Sequence, residues 1–195
     1  MRRFALQLAL VMCLSAVSAA AQTARTFSTP LVEITGGYSL LRSETVAGSG
    51  FNLHGGSVSI AANVNNWLGF VGDFGYYRNK SISPAGFGLN VSSYTFGPRV
   101  SYRGFEHFSL FAHQLIGAAH AGGTLYTQGF ASGTAAPGPV NSFAMATGGG
   151  LDYNLSRPLG IRAQGEWLYT TFPNGASSRQ NYVRFTLGAV FRFGY

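Results

Sequence analysis

The chain is short of cysteine, short of negative charge and without an apolar run long enough to cross a membrane as a helix. Its one cysteine is Cys13, and 13 Lys and Arg face only six Asp and Glu, for a formal charge of +7. Charged residues make up 10%, against ~25% in an average globular protein. That scarcity excludes a charge-laced coiled coil. Aromatic residues reach 14%, which excludes a disordered tail. The 195 residues suit a single domain. Glycine, at 27 residues, is about twice as frequent as usual, and with the aromatics it points to β structure.

The first segment reads as an address. Arg2 and Arg3 form a basic start, residues 4–17 are apolar apart mainly from Gln7, Cys13 and Ser15, and Ala19-Ala20-Ala21 follow. This is the layout of a secretory signal, with cleavage expected before Gln22. Its apolar run falls short of the ~20 residues of a spanning helix. Met12 before Cys13 does not suit lipoprotein processing. Loss of the leader removes Cys13, and with it disulfides, thiolate catalysis and cysteine zinc sites. Loss of Arg2 and Arg3 takes the formal +7 to +5. The expected organisation is therefore a cleaved leader over 1–21 and one domain over 22–195.

Beyond Gln22 the hydrophobic period is two. The clearest stretch is 181–195, NYVRFTLGAVFRFGY. Val183, Phe185, Leu187, Ala189, Phe191, Phe193 and Tyr195 share one face; Arg184, Thr186, Gly188, Val190, Arg192 and Gly194 share the other. Soluble strands usually stop near 5–6 residues. A strand this long, apolar on one face with two arginines on the other, suits a transmembrane barrel. Similar alternation predicts strands over 32–41, 52–63, 67–78, 91–102, 108–120, 142–154 and 159–172, eight in all. The faces of 108–120 stay open. Connections 63–66, 103–107 and 154–158 are short; 43–50, 79–90, 121–141 and 173–180 are long and rich in Gly, Pro and Ser. Short turns at one end and long loops at the other is the outer-membrane barrel layout. The predicted fold is all-β, an eight-stranded antiparallel up-and-down transmembrane barrel.

With its leader, eight strands and closing Phe191-Arg192-Phe193-Gly194-Tyr195, the chain resembles the eight-stranded outer-membrane barrel family, with the OmpA-type N-terminal barrel and OmpX-like proteins among its members. Gly97-Pro98-Arg99 and residues 111–117 are similar to stretches of that family's barrel domain. The resemblance implies outer-membrane location after Sec-type export. It also implies that Phe191, Phe193 and Tyr195 form a terminal signal read by the barrel assembly machinery. OmpA-type proteins often add a peptidoglycan-binding domain; this chain stops at Tyr195, and that function is not expected of it.

An eight-stranded barrel is just wide enough inside for side chains to fill. The alternation turns Glu33, Asp73, Asp152 and Glu166 inward, together with Arg99, Arg162, Arg184 and Arg192. Charges shielded from lipid and water must pair, and a guanidinium forks a carboxylate well. The expectation is an ion-paired polar core of no net charge, with a gated pore as its functional rival. Arg42, Arg78, Lys80, Arg103, Arg157 and Arg179 fall in turns and loops, where loop arginines would meet lipopolysaccharide phosphates.

No catalytic or metal-binding set emerges. His113 and His120 lie seven apart on one strand, on opposite faces and over ~20 Å apart. His54 and His107 are scattered, so the four histidines read as isolated polar residues. His107-Phe108-Ser109 shares its spacing with a barrel lipid A deacylase family, but it borders a short turn on the side away from that substrate. Gly148-Gly149-Gly150 continues into strand, whereas a phosphate loop needs a helix after it. The arginines form no stripe for nucleic acid. The expected protein is a non-enzymatic outer-membrane barrel with a structural or surface-interaction role through its long loops. It carries no cofactor, binds no nucleic acid, contacts outer-membrane lipids and lipopolysaccharide, and is a monomer. Its alternatives are a narrow gated pore and a secreted lipocalin-like barrel that binds a hydrophobic ligand.

Overall fold

The computed structural model describes residues 29–44, 50–80, 88–124, 139–172 and 179–195. The leader expected over 1–21 and most of each long loop lie outside the described residues. The described residues form eight strands: β1 (Val32–Glu44), β2 (Asn52–Asn63), β3 (Leu68–Asn79), β4 (Leu89–Tyr102), β5 (Phe108–Gly122), β6 (Val140–Asn154), β7 (Leu159–Thr170) and β8 (Gln180–Phe193). Each pairs antiparallel with the next, and β1 pairs with β8, so the sheet closes. Closure gives every strand a partner on both sides, the condition for strands in hydrocarbon.

Turn chemistry sets one end of the barrel. The Asn65 side-chain oxygen accepts the backbone N–H groups of Trp67 (3.0 Å) and Leu68 (2.7 Å), an Asx turn between β2 and β3. Trp67 therefore sits in the turn, one residue ahead of the strand. At the other end, pairing rather than composition decides where strands stop. β1 runs past residue 41 because Arg42, Ser43 and Glu44 find Val183, Tyr182 and Asn181 on β8. β4 starts two residues early, where Leu89 meets Asn79. β5 and β6 extend together through Ala121 and Val140. β8 ends at Phe193, since Gly194 takes φ +71°, and its carbonyl accepts Leu31 N–H at 2.8 Å.

The wall is amphipathic in the membrane sense. Val58, Ile60, Phe74, Phe96, Phe185 and Leu187 stand exposed on the outside. The β5 faces, open in the sequence, resolve with Phe111, His113 and Leu115 inward and Leu110, Gln114 and Ile116 outward. A soluble lipocalin-like barrel needs its apolar faces inside, so the exposed outer ring opposes that alternative. Phe185 is 56% exposed midway along β8. Phe185→Arg is expected to cost ~2–4 kcal/mol, the penalty for a cation at the bilayer midplane. Unfolding of the variant in lipid vesicles measures it; a neutral result places Phe185 off the lipid face.

Candidate functional site in the barrel lumen

Glu33, Asp73, Arg99, Asp152, Arg162, Glu166, Arg184 and Arg192 are all buried. They fall into two groups along the barrel. The first lies at the short-turn end. Arg99 Nη2 and Arg162 Nη2 reach Glu33 Oε2 at 2.7 and 2.8 Å. Arg162 also donates to both oxygens of Asp152, through Nε at 2.6 Å and Nη2 at 2.7 Å, and to Thr35 Oγ1 at 2.9 Å. Arg192 donates to Asp152 Oδ2 at 3.0 Å. Phe111 lies under two guanidinium groups, those of Arg162 at 4.5 Å and Arg99 at 5.6 Å from the ring centre, a cation–π arrangement.

The second group lies deeper. Arg184 Nη1 contacts Asp73 Oδ1 at 2.7 Å and the Tyr77 hydroxyl at 2.7 Å, while its Nε donates to Glu166. Gln164 Nε2 donates to Glu166 Oε2 at 3.1 Å. Two glycines make these contacts fit. A Cβ on Gly75 would fall 2.0 Å from the Tyr77 hydroxyl, and one on Gly148 would fall 2.5 Å from Glu166 Cγ. Part of the glycine run 148–150 is thus room for the charged core.

Two partners of the lumen carboxylates fall outside the set expected from alternation. Arg103, in the β4–β5 turn, folds back into the turn-end mouth. Its Nη2 meets Glu33 Oε1 at 2.8 Å, and its Nη1 donates to the Asn66 carbonyl at 2.6 Å. His113, expected as an isolated polar residue, is buried with Nε2 2.6 Å from Glu166 Oε1. The signal for His113 was the short β4–β5 turn: its register sets Arg99 against His113, so both point the same way. His120 is on the opposite face, 2.8 Å from Asn141 Oδ1. His107 is exposed in the turn, and Ser109 is half-buried.

The loop end of the lumen is different. Leu41, Leu53, Val91, Leu115, Leu168 and Phe172 are buried there in one apolar cluster with Tyr77 and Tyr182. The lumen is therefore stacked: a charged half at the turns and an apolar half under the loops. Chemically this arrangement holds strands together across the barrel. Among the described residues, no three His, Cys, Asp or Glu are grouped to hold a metal ion.

Glu33 collects three guanidinium groups, and removing it strands them. Glu33→Ala is expected to destabilise by about 3–5 kcal/mol, the cost of breaking a buried ion pair. Arg103→Gln, at the half-open mouth, is expected to cost clearly less. Urea unfolding of both variants in detergent micelles checks the order, and equal small losses would mean that water already solvates these charges.

The outer membrane protein beta-barrel domain model matches residues 9–193. Among solved structures, the barrel is similar to Neisserial surface protein A, at 12% identity and a TM-score of 0.65 over 83% of this chain and 97% of that one. It is similar to Ail, the attachment invasion locus protein of Yersinia pestis, at 23% and 0.58 over 83% and 97%. It is also similar to OprG of Pseudomonas aeruginosa, at 11% and 0.52 over 84% and 96%. At such identities the likeness is one of fold. No curated protein shows significant sequence similarity. The matched model spans all eight strands, and the chain belongs to the outer membrane protein β-barrel domain family.

Proposed function

We propose that the protein is a non-enzymatic outer-membrane barrel whose lumen is a closed core, and that it works structurally or through its loop end. The observation that carries this reading is the stacked lumen. An ion crossing it would have to pass the apolar half lined by Leu41, Leu53, Leu115, Leu168 and Phe172 after displacing paired guanidinium groups. Glu33, Asp73, Arg99, Asp152, Arg162, Glu166, Arg184 and Arg192 act in this reading as cross-lumen ties. The gated-pore alternative needs those ties to exchange partners and the apolar half to open as well.

The rest of the reading concerns how the chain reaches its place. Residues 1–21 direct Sec-type export and are removed. Phe191, Phe193 and Tyr195, all outward and exposed, engage the barrel assembly machinery. Lipids and lipopolysaccharide surround the folded monomer.

Two measurements test this. In planar bilayers the wild type and Glu166→Gln are both expected to stay electrically silent; discrete conductance steps, altered in the variant, would instead establish the gated pore. Phe193→Ala combined with Tyr195→Ala is expected to lower the amount of folded barrel in the outer membrane. Unchanged levels refute the terminal signal.

A further inference from the structure

The charges of the lumen are not shared evenly along its axis. In the turn-end group the guanidinium groups of Arg99, Arg103, Arg162 and Arg192 serve two carboxylates, Glu33 and Asp152. In the deeper group the ratio is reversed, and Asp73 and Glu166 share the guanidinium of Arg184. The deeper group is therefore one positive charge short. A buried carboxylate without a counter-charge is costly. The side chain placed to supply that charge is His113, whose Nε2 lies 2.6 Å from Glu166 Oε1. Histidine is the side chain that ordinarily gains and loses its charge between pH 5 and 8.

The surroundings commit His113 to this pair. On its own strand it has Leu115 above and Phe111 below, the Phe111 ring centre 5.8 Å away. On β4 it faces Arg99, whose guanidinium is bound to Glu33. Arg162, stacked on the same Phe111, is bound to Glu33 and Asp152. On β6 its neighbour is Gly148, whose own partner on β7 is Glu166; with no side chain between them, His113 reaches across β6 to the carboxylate. Glu166 Oε2 is taken by Gln164 and Arg184, which leaves Oε1 to the imidazole. Across the lumen, Asp73 and Tyr77 on β3 hold the far side of Arg184. Leu115, Ala146 and Leu168 are fully buried in the apolar half above the pair.

We propose that His113 is a proton-operated latch on the lumen. With the ring protonated, the line His113–Glu166–Arg184–Asp73 is neutral and ties β5, β7, β8 and β3 across the barrel. With the proton gone, the imidazole is at best a neutral donor, and two carboxylates share one guanidinium. A charge-assisted hydrogen bond is about twice as strong as a neutral one. The contribution is complete where His113 carries its proton and is lost as pH rises through its titration. The inference rests on the ion-paired, closed lumen proposed above.

The test follows urea unfolding of the barrel in phosphatidylcholine vesicles from pH 5 to 8. The chain has four histidines, so a triple variant with His54→Gln, His107→Gln and His120→Gln keeps His113 alone. The unfolding equilibrium of the wild type and of the triple variant is expected to move toward the unfolded state by about tenfold across that range, the difference between a hydrogen bond to a charged group and a neutral one. His113→Gln keeps a neutral donor, and its profile should be flat. Glu166→Gln removes the carboxylate and should flatten the profile as well. Imidazole NMR of the folded triple variant in nanodiscs should show one titration step that coincides with the loss of stability. A flat profile in the triple variant, a slope retained in His113→Gln, or a ring that does not titrate between pH 5 and 8 in the folded barrel would overturn the latch. Discrete conductance steps in planar bilayers would overturn the closed lumen instead.

Discussion

Glu33 is bound by three guanidinium groups, from Arg99 on β4, Arg162 on β7 and Arg103 in the β4–β5 turn. β1 is thereby fastened to walls it does not touch through the sheet. Arg162 carries the tie on to Asp152, and Asp152 to Arg192 on β8. Arg184 does the same deeper down, joining β8 to Asp73 on β3. A closed sheet satisfies its backbone along the strands and takes its radius from strand number and stagger, but its interior still has to be filled. The charged half of this lumen supplies that filling, and each member is tolerable only because the others are present.

The outside follows from the same parity. Every second side chain that enters the lumen leaves its neighbours on the outer wall, where Phe74, Phe96, Phe185 and Leu187 meet lipid. Burying charge inside and exposing hydrocarbon outside would be ruinous in water, yet it is stable in a bilayer. The apolar half beneath the loops separates the ion pairs from the side that the long loops face. At the loop end, the exposed Arg42, Arg78 and Lys80 lie on β1, within β3 and just after β3, on one side of the rim. The molecule thus has a neutralised interior and an asymmetric basic edge.

Much of this was legible in the sequence because alternation is read directly. Glu33, Asp73, Arg99 and Arg162 sit between outward apolar neighbours, so their direction needed no tertiary information. β2 spans Asn52–Asn63, the expected range, because its short turn to β3 is marked by asparagines. What stayed hidden depends on partners far along the chain. β5 carries Leu110 and Ile116 on one face and Phe111 and Leu115 on the other, so its own pattern does not choose, and His113 went with it. Arg103 sits in a turn, where solvent is the default partner, yet its side chain is long enough to reach Glu33. The loop-end limits of β1, β4 and β5 were short by two or three residues, because ladder hydrogen bonds carry strands into Gly- and Ser-rich sequence.

The central claim is that the lumen holds the charged face and lipid the apolar one. A cysteine scan along β8 tests it most directly, since the chain beyond residue 22 has no cysteine of its own. Cysteines replacing Val183, Arg184, Phe185, Thr186 and Leu187 one at a time would carry a fluorophore in the vesicle-bound barrel, with a quencher attached to the lipid chains. The account predicts strong quenching at 183, 185 and 187 and weak quenching at 184 and 186. The opposite parity, or uniform quenching along the strand, would contradict it.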